Sequence, residues 1–148
     1  MLQTLRQFVV LVPFVVLTGC SNLPFELVPV SGSVKYKDGT VPEGMVRVVR
    51  FEAIADAQGN KSPRAAANFL EPDGTFQLMT MRPRDGAIPG DYNVVLLFWK
   101  DATTRESTIP PAYGKANTTP LPIVTVESGG DNRFDLIVEN SKIMLGKR

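Results

Sequence analysis

The chain has 148 residues, with 16 Lys and Arg against 15 Asp and Glu, no histidine, one cysteine, and 12 each of glycine and proline. A formal charge of +1 leaves no basic excess to track a phosphate backbone, so nucleic-acid binding is not expected. Without histidine there is no Ser–His–Asp or Cys–His site and the commonest zinc ligand is missing; a single cysteine forms no intramolecular disulfide. The length suits one domain, and hydrophobic content of 43% with 21% charged residues is that of a globular chain.

Residues 1–20 differ from everything that follows. Arg6 lies in a short positive opening, and residues 8–17 (FVVLVPFVVL) form an apolar run interrupted by Pro13. That run is shorter than the roughly 20 residues an α-helix needs to cross a bilayer, but it suits the hydrophobic region of a signal peptide. Leu17-Thr18-Gly19-Cys20 then leads small residues into the only cysteine. The tetrapeptide resembles the lipobox of bacterial lipoproteins. The resemblance implies removal of residues 1–19 as a lipoprotein signal peptide, lipidation of the Cys20 thiol and acylation of the new amino group. Two or more fatty chains suffice for stable anchoring where one does not. Cys20 and a short tether would occupy 20–26. Loss of Arg6 with the leader brings the 16 basic residues level with the 15 acidic ones. Ser21, rather than Asp, follows the cysteine; in proteobacterial sorting this favours the outer membrane. The expected localisation is thus exported and lipid-anchored to the cell membrane or outer membrane, with the domain in the periplasm or at the cell surface.

From residue 27 the pattern has period two, punctuated by glycine and proline, and predicts a β domain over 27–140 with a tail at 141–148. Val28, Val30, Val34 and Tyr36 alternate with polar residues and Pro29, with Gly32 on the same inward row, where a missing side chain admits a close neighbour. Asp38-Gly39 ends that strand. Residues 45–52 (MVRVVRFE) form the second; Val46 and Val48 share one face while Val49 and Phe51 share the other, which predicts a bulge or a strand covered on both faces. Residues 53–63 read as loop. The segment 65–70 precedes a Pro72-Asp73-Gly74 turn and a strand at 75–80, with Phe76, Leu78 and Thr80 inward. Ala65-Ala66-Ala67 is too short a run between Pro63 and Pro72 for a helix. After a turn-rich loop at 82–90, residues 91–99 (DYNVVLLFW) are apolar on both faces and should be central. Residues 100–120 are the longest irregular stretch. Strands at 121–126 and 133–138 complete a set of seven, separated by Gly129-Gly130. The fold class expected is all-β, a seven-stranded Greek-key β-sandwich.

Several segments match one family in order. Residues 30–34 (VSGSV) and 38–44 (DGTVPEG), residues 73–78 (DGTFQL) and residues 86–94 (GAIPGDYNV) resemble the successive motifs of carboxypeptidase-regulatory-like domains. Ile109-Pro110-Pro111-Ala112-Tyr113 with Pro120-Leu121 adds a likeness to the small lipoproteins of planctomycetes. The resemblance covers about residues 28–138 and implies a transthyretin-like (prealbumin-like) sandwich, exported and lipid-anchored. Zinc carboxypeptidases with such an accessory domain keep their metal ligands in a separate domain. Transthyretin-like hydroxyisourate hydrolases use histidines and a terminal Tyr-Arg-Gly-Ser, where this chain has Leu145-Gly146-Lys147-Arg148 and no histidine. The expectation is therefore no enzyme, no cofactor and no metal.

Acidic residues stand singly at turns (Asp38, Asp56, Asp73, Asp85, Asp91, Asp101, Asp131), without the Asp-x-Asp-x-Asp-Gly of a calcium loop. Asp85 and Asp91 flank one turn, where the choice lies between a shared ion and turn formation. Ser62, Ser107 and Ser141 have no base nearby in sequence, and Arg47 and Arg50 read as a basic pair or as solvated strand positions. The surface expected to meet a partner is the 100–120 loop, with Trp99, Ile109 and Tyr113 as its apolar residues; the alternative is that Ile109 and Tyr113 tuck inward and pin the loop. The function expected is a non-catalytic structural or protein-interaction module of the cell envelope, held to the membrane by its lipid. The alternative function is a carbohydrate- or small-ligand-binding lipoprotein with its site in the 100–120 loop, so that an envelope protein or a polysaccharide is the expected partner.

Overall fold

A computed structural model describes residues 25–55 and 65–139. The expected signal peptide, Cys20 and the 141–148 tail lie outside the described residues, as do Asp56, Ser62 and Ser141.

The strands are β1 (Ser31–Tyr36), β2 (Val46–Ala53), β3 (Ala66–Phe69), β4 (Thr75–Gln77), β5 (Gly90–Trp99), β6 (Val124–Val126) and β7 (Arg133–Val138). They form two sheets, ordered β4-β1-β7 and β3-β2-β5-β6. Adjacent strands are antiparallel except β1 and β7, which run parallel from Ser31↔Arg133 to Tyr36↔Val138. The inner faces share one core. Val34, Phe76, Leu136 and Val138 enter it from the first sheet, and Val49, Phe51, Val94, Leu96 and Phe98 from the second. The fold is all-β in the manner of a β-sandwich. Among the described residues the only helical element is a 3-10 turn, Pro111–Gly114.

Alternation explains which residues face inward, and the departures have local causes. The first strand begins at Ser31 rather than Val28 because Pro29 has no N–H to continue a ladder. Val28 instead makes an isolated bridge with Ala87. The sixth starts at Val124 rather than Leu121, after Pro120 and Pro122. The fourth ends at Gln77, because the chain turns a corner there. Leu78 still donates to Val30 O at 2.9 Å, but Met79 exchanges hydrogen bonds with Ala67 of β3, in the other sheet.

No residue is inserted between β2 and β5, whose register runs unbroken from Val46↔Trp99 to Ala53↔Tyr92. The phase slip in β2 is therefore not a bulge. Val49 and Phe51 are fully buried, while Val46 and Val48 are half-buried on the outer face opposite Trp99 and Leu97. On β5, Val95 is also buried although it points away from Val94 and Leu96. This strand is interior to its sheet, as its two apolar faces suggested.

Candidate functional site

The strands run between two ends of the domain, and each end carries loops of different chemistry. β5 ends at Trp99, and the chain folds back on itself at once. Lys100 N–H donates to Glu106 O at 2.8 Å, Trp99 bridges Ser107, and Thr108 N–H donates to Phe98 O at 3.0 Å. Asp101 closes the tip by accepting the N–H groups of Thr103 (2.8 Å) and Thr104 (2.7 Å) together with the Thr104 hydroxyl. The Thr104 hydroxyl, then its amide, holds the Asp101 carboxyl below its ordinary pKa. Arg105, at a positive φ of 55°, sets its guanidinium 5.4 Å from the centre of the half-buried Trp99 ring, within cation–π range.

Of the three side chains expected to line this surface, only Trp99 has a solvent-facing flank. Ile109 is 3% exposed and Tyr113 2%, and both belong to the core. The reason lies in the sheet: β6 pairs with β5 only at Gly90–Tyr92, so the 109–113 segment packs beside the rest of β5. The Tyr113 hydroxyl accepts the Glu139 N–H at 2.9 Å and ties the loop to the end of β7. Ile109 and Tyr113 thus pin the 100–120 loop and offer no partner surface. Arg47 and Arg50 form no patch either, since their odd spacing puts them on opposite faces. Arg50 pairs with Glu52 at 3.0 Å, and Arg47 reaches Pro42 O.

At the opposite end lies a cluster that the turn signals of 82–90 only hinted at. The Asp85 carboxylate accepts three amide N–H groups, from Thr80 (2.7 Å) on Oδ1 and from Met81 (3.0 Å) and Arg82 (2.7 Å) on Oδ2. The Thr80 hydroxyl donates to Gly86 O at 2.7 Å. Gly86 has φ 84°, and a Cβ there would lie 1.8 Å from Val28 O, so only glycine lets the loop sit against the N-terminal segment. The result is a cleft of about 380 Å³ lined by Phe25, Leu27, Pro29, Met81, Arg82, Arg84 and Asp85. Asp91 does not join Asp85 around an ion site; it accepts the Thr125 hydroxyl at 2.6 Å.

Burial pushes the Asp85 pKa upward, but the three amides together outweigh it and hold the carboxyl below its ordinary 3.8. A depressed pKa means that the unfolded chain binds the proton more readily, so the carboxylate stabilises the fold above pH ~4 and stops doing so as pH falls through the folded pKa. Asp85→Ala should cost about 1.5–3 kcal/mol at neutral pH, the range for hydrogen bonds to a charged group. Asp85→Asn should cost less, and its deficit should shrink at acid pH, below the folded-state pKa of the wild-type carboxyl. Urea unfolding followed through Trp99 fluorescence at both pH values measures this; an equal Asp85→Asn deficit at the two would show that the charge contributes nothing.

Two sheets around one apolar core, with loops braced by Asp side chains, define an all-β, sandwich-like domain. No protein-family model, curated protein or solved structure matches the chain.

Proposed function

We propose that this chain is a lipid-anchored, extracytoplasmic β-sandwich of seven-stranded, Greek-key, transthyretin-like form, a non-catalytic structural or protein-interaction module of the cell envelope. The strand order supports the Greek-key reading. After the β2–β3 hairpin the chain changes sheets, and β4 returns beside β1. The likeness to carboxypeptidase-regulatory-like lipoproteins is part of the same proposal.

The observation that carries the functional reading is the separation of the two ends. The segment arriving from Cys20 joins the domain at Val28, beside Ala87 and the start of β5. Trp99 and the 100–106 tip stand at the far end of β5, a ten-residue strand that spans about 30 Å. A protein held to a membrane through Cys20 would present Trp99 and Arg105 away from the anchor. The acidic side chains favour a scaffold: Asp38, Asp73, Asp85 and Asp101 each accept N–H groups of their own turns.

Cys20→Ser should abolish lipid labelling and release the processed protein from the membrane fraction, or leave it as unprocessed precursor. Processed Cys20→Ser protein that still sedimented with membranes would overturn the anchor. For the interaction role, crosslinked envelopes should yield one protein in stoichiometric amount with the wild-type chain, and less of it with Trp99→Ala. Saturable polysaccharide binding that is lost on Trp99→Ala, with no protein captured, would favour the ligand-binding reading instead.

A further inference from the structure

We infer that the 81–85 loop, together with Phe25 and Leu27, is a membrane-docking surface that takes anionic phospholipid headgroups. The inference rests on the lipid-anchor reading of Cys20. Arg82 and Arg84 are exposed on either side of Pro83, and neither guanidinium takes part in a salt bridge among the described residues. Beside them are half-buried Phe25 and Leu27 and exposed Met81. Paired guanidinium groups next to apolar side chains suit a bilayer interface, where arginine binds phosphate oxygens and the apolar groups reach the acyl boundary. Among the described residues that line the cleft the one acid, Asp85, is turned inward onto three amides of its own loop. Nearby Glu26 takes a hydrogen bond from Ser128 at 2.7 Å, and Arg133 lies 3.9 Å from Asp135.

Covalent geometry supplies the proximity. Five peptide steps separate Cys20 from Phe25, so the chain between them spans at most about 18 Å. The loop cannot swing away from this exit point. Val28 and Ala87 exchange both of their backbone hydrogen bonds, at 2.9 and 3.0 Å, and Gly86 is seated against Val28. An acylated Cys20 therefore brings both arginines close to the headgroup layer, where each basic residue is worth roughly a fivefold change in occupancy. No such constraint acts on Arg105, at the other end of the domain.

The test uses the full lipidated protein, purified from membranes and reconstituted in vesicles of phosphatidylcholine alone or with about 30% phosphatidylglycerol. Arginines are modified with phenylglyoxal and the sites read by mass spectrometry. Arg82 and Arg84 should each react about fivefold more slowly on the anionic vesicles, with Arg105 unchanged. High salt should abolish that protection while the protein still floats with the vesicles, because the acyl chains and not the arginines retain it. Equal rates at Arg82 and Arg84 on both vesicles, with the protein floating, would overturn the docking surface and leave the anchor standing. Slowing shared equally by Arg105 would overturn it too. Protein that floats with neither vesicle would overturn the anchor and the docking surface together. Protection by isolated cell-wall glycan, with none from vesicles, would assign the loop to a glycan and overturn the membrane inference.

Discussion

Phe51→Ala should lower the unfolding free energy by about 3–5 kcal/mol, the range for deleting a large side chain from a packed core. Phe51 has no exposed surface and sits where the two sheets meet. From β2 its ring reaches Tyr92 of the same sheet at 5.9 Å, and Phe76 and Phe134 of the other sheet at 6.3 and 5.7 Å. The substitution removes one ring from a cluster of four, and the strand backbones on either side are held by their ladders, so the space does not close readily. Against a total stability of about 5–15 kcal/mol this loss takes much of the folded population. Phe69, 64% exposed on β3, provides the control, and Phe69→Ala should change stability by about 0.5 kcal/mol or less. Urea unfolding of the two variants beside the wild type makes the comparison. Near-equal losses would mean that Phe51 does not link the sheets.

Gly32→Ala, which adds one methyl group, should cost about 3 kcal/mol and reduce soluble yield. A Cβ on Gly32 would lie 2.0 Å from the carbonyl oxygen of Phe134, 2.9 Å from its carbonyl carbon and 2.7 Å from Cζ of Phe76. A rotamer change relieves the contact with Phe76 but not those with the backbone. Phe134 is the partner of Gly32 in the parallel β1–β7 ladder, so relief requires the two strands to part. β1 is the middle strand of its sheet, and moving it disturbs β4 as well. Gly39 separates crowding from conformational preference. It has φ 86° with nothing within 4 Å of its would-be Cβ, so Gly39→Ala should cost only about 1–2 kcal/mol of left-handed strain. Thermal unfolding of both variants should rank Gly32→Ala as the more damaging, although Gly39 is the one in the left-handed region.

These two residues differ in how visible they were. The inward row of Val30, Gly32 and Val34 marks Gly32 as a place of close approach, because alternation along one strand needs no knowledge of its neighbours. That Phe51 gathers three other aromatic rings was not legible, since Phe76, Tyr92 and Phe134 come from three different strands and two sheets. Proline behaves similarly. Pro29 and Pro122 stand in the sequence as ladder breakers, yet the effect of Pro29, which leaves Val28 free to bridge Ala87, depends on a loop nearly sixty positions away.

By itself the sequence determined what is carried by chain neighbours: the period-two rows of β1 and β7, the two apolar faces of β5, the Asp-braced turns at residues 38 and 73, the exclusion of histidine chemistry, and the Leu17–Cys20 motif on which the anchor proposal depends. Only the tertiary structure decided which loops meet. It sent Ile109 and Tyr113 into the core, along the edge of β5 that β6 covers only at Gly90–Tyr92, and left Trp99 under Arg105 at one end. It also gathered Arg82 and Arg84 with Phe25 and Leu27 at the other end. The physical reason is that alternation is set by the backbone of a single strand, whereas strand order and loop contacts are set by hydrogen bonds and packing between segments far apart in the chain.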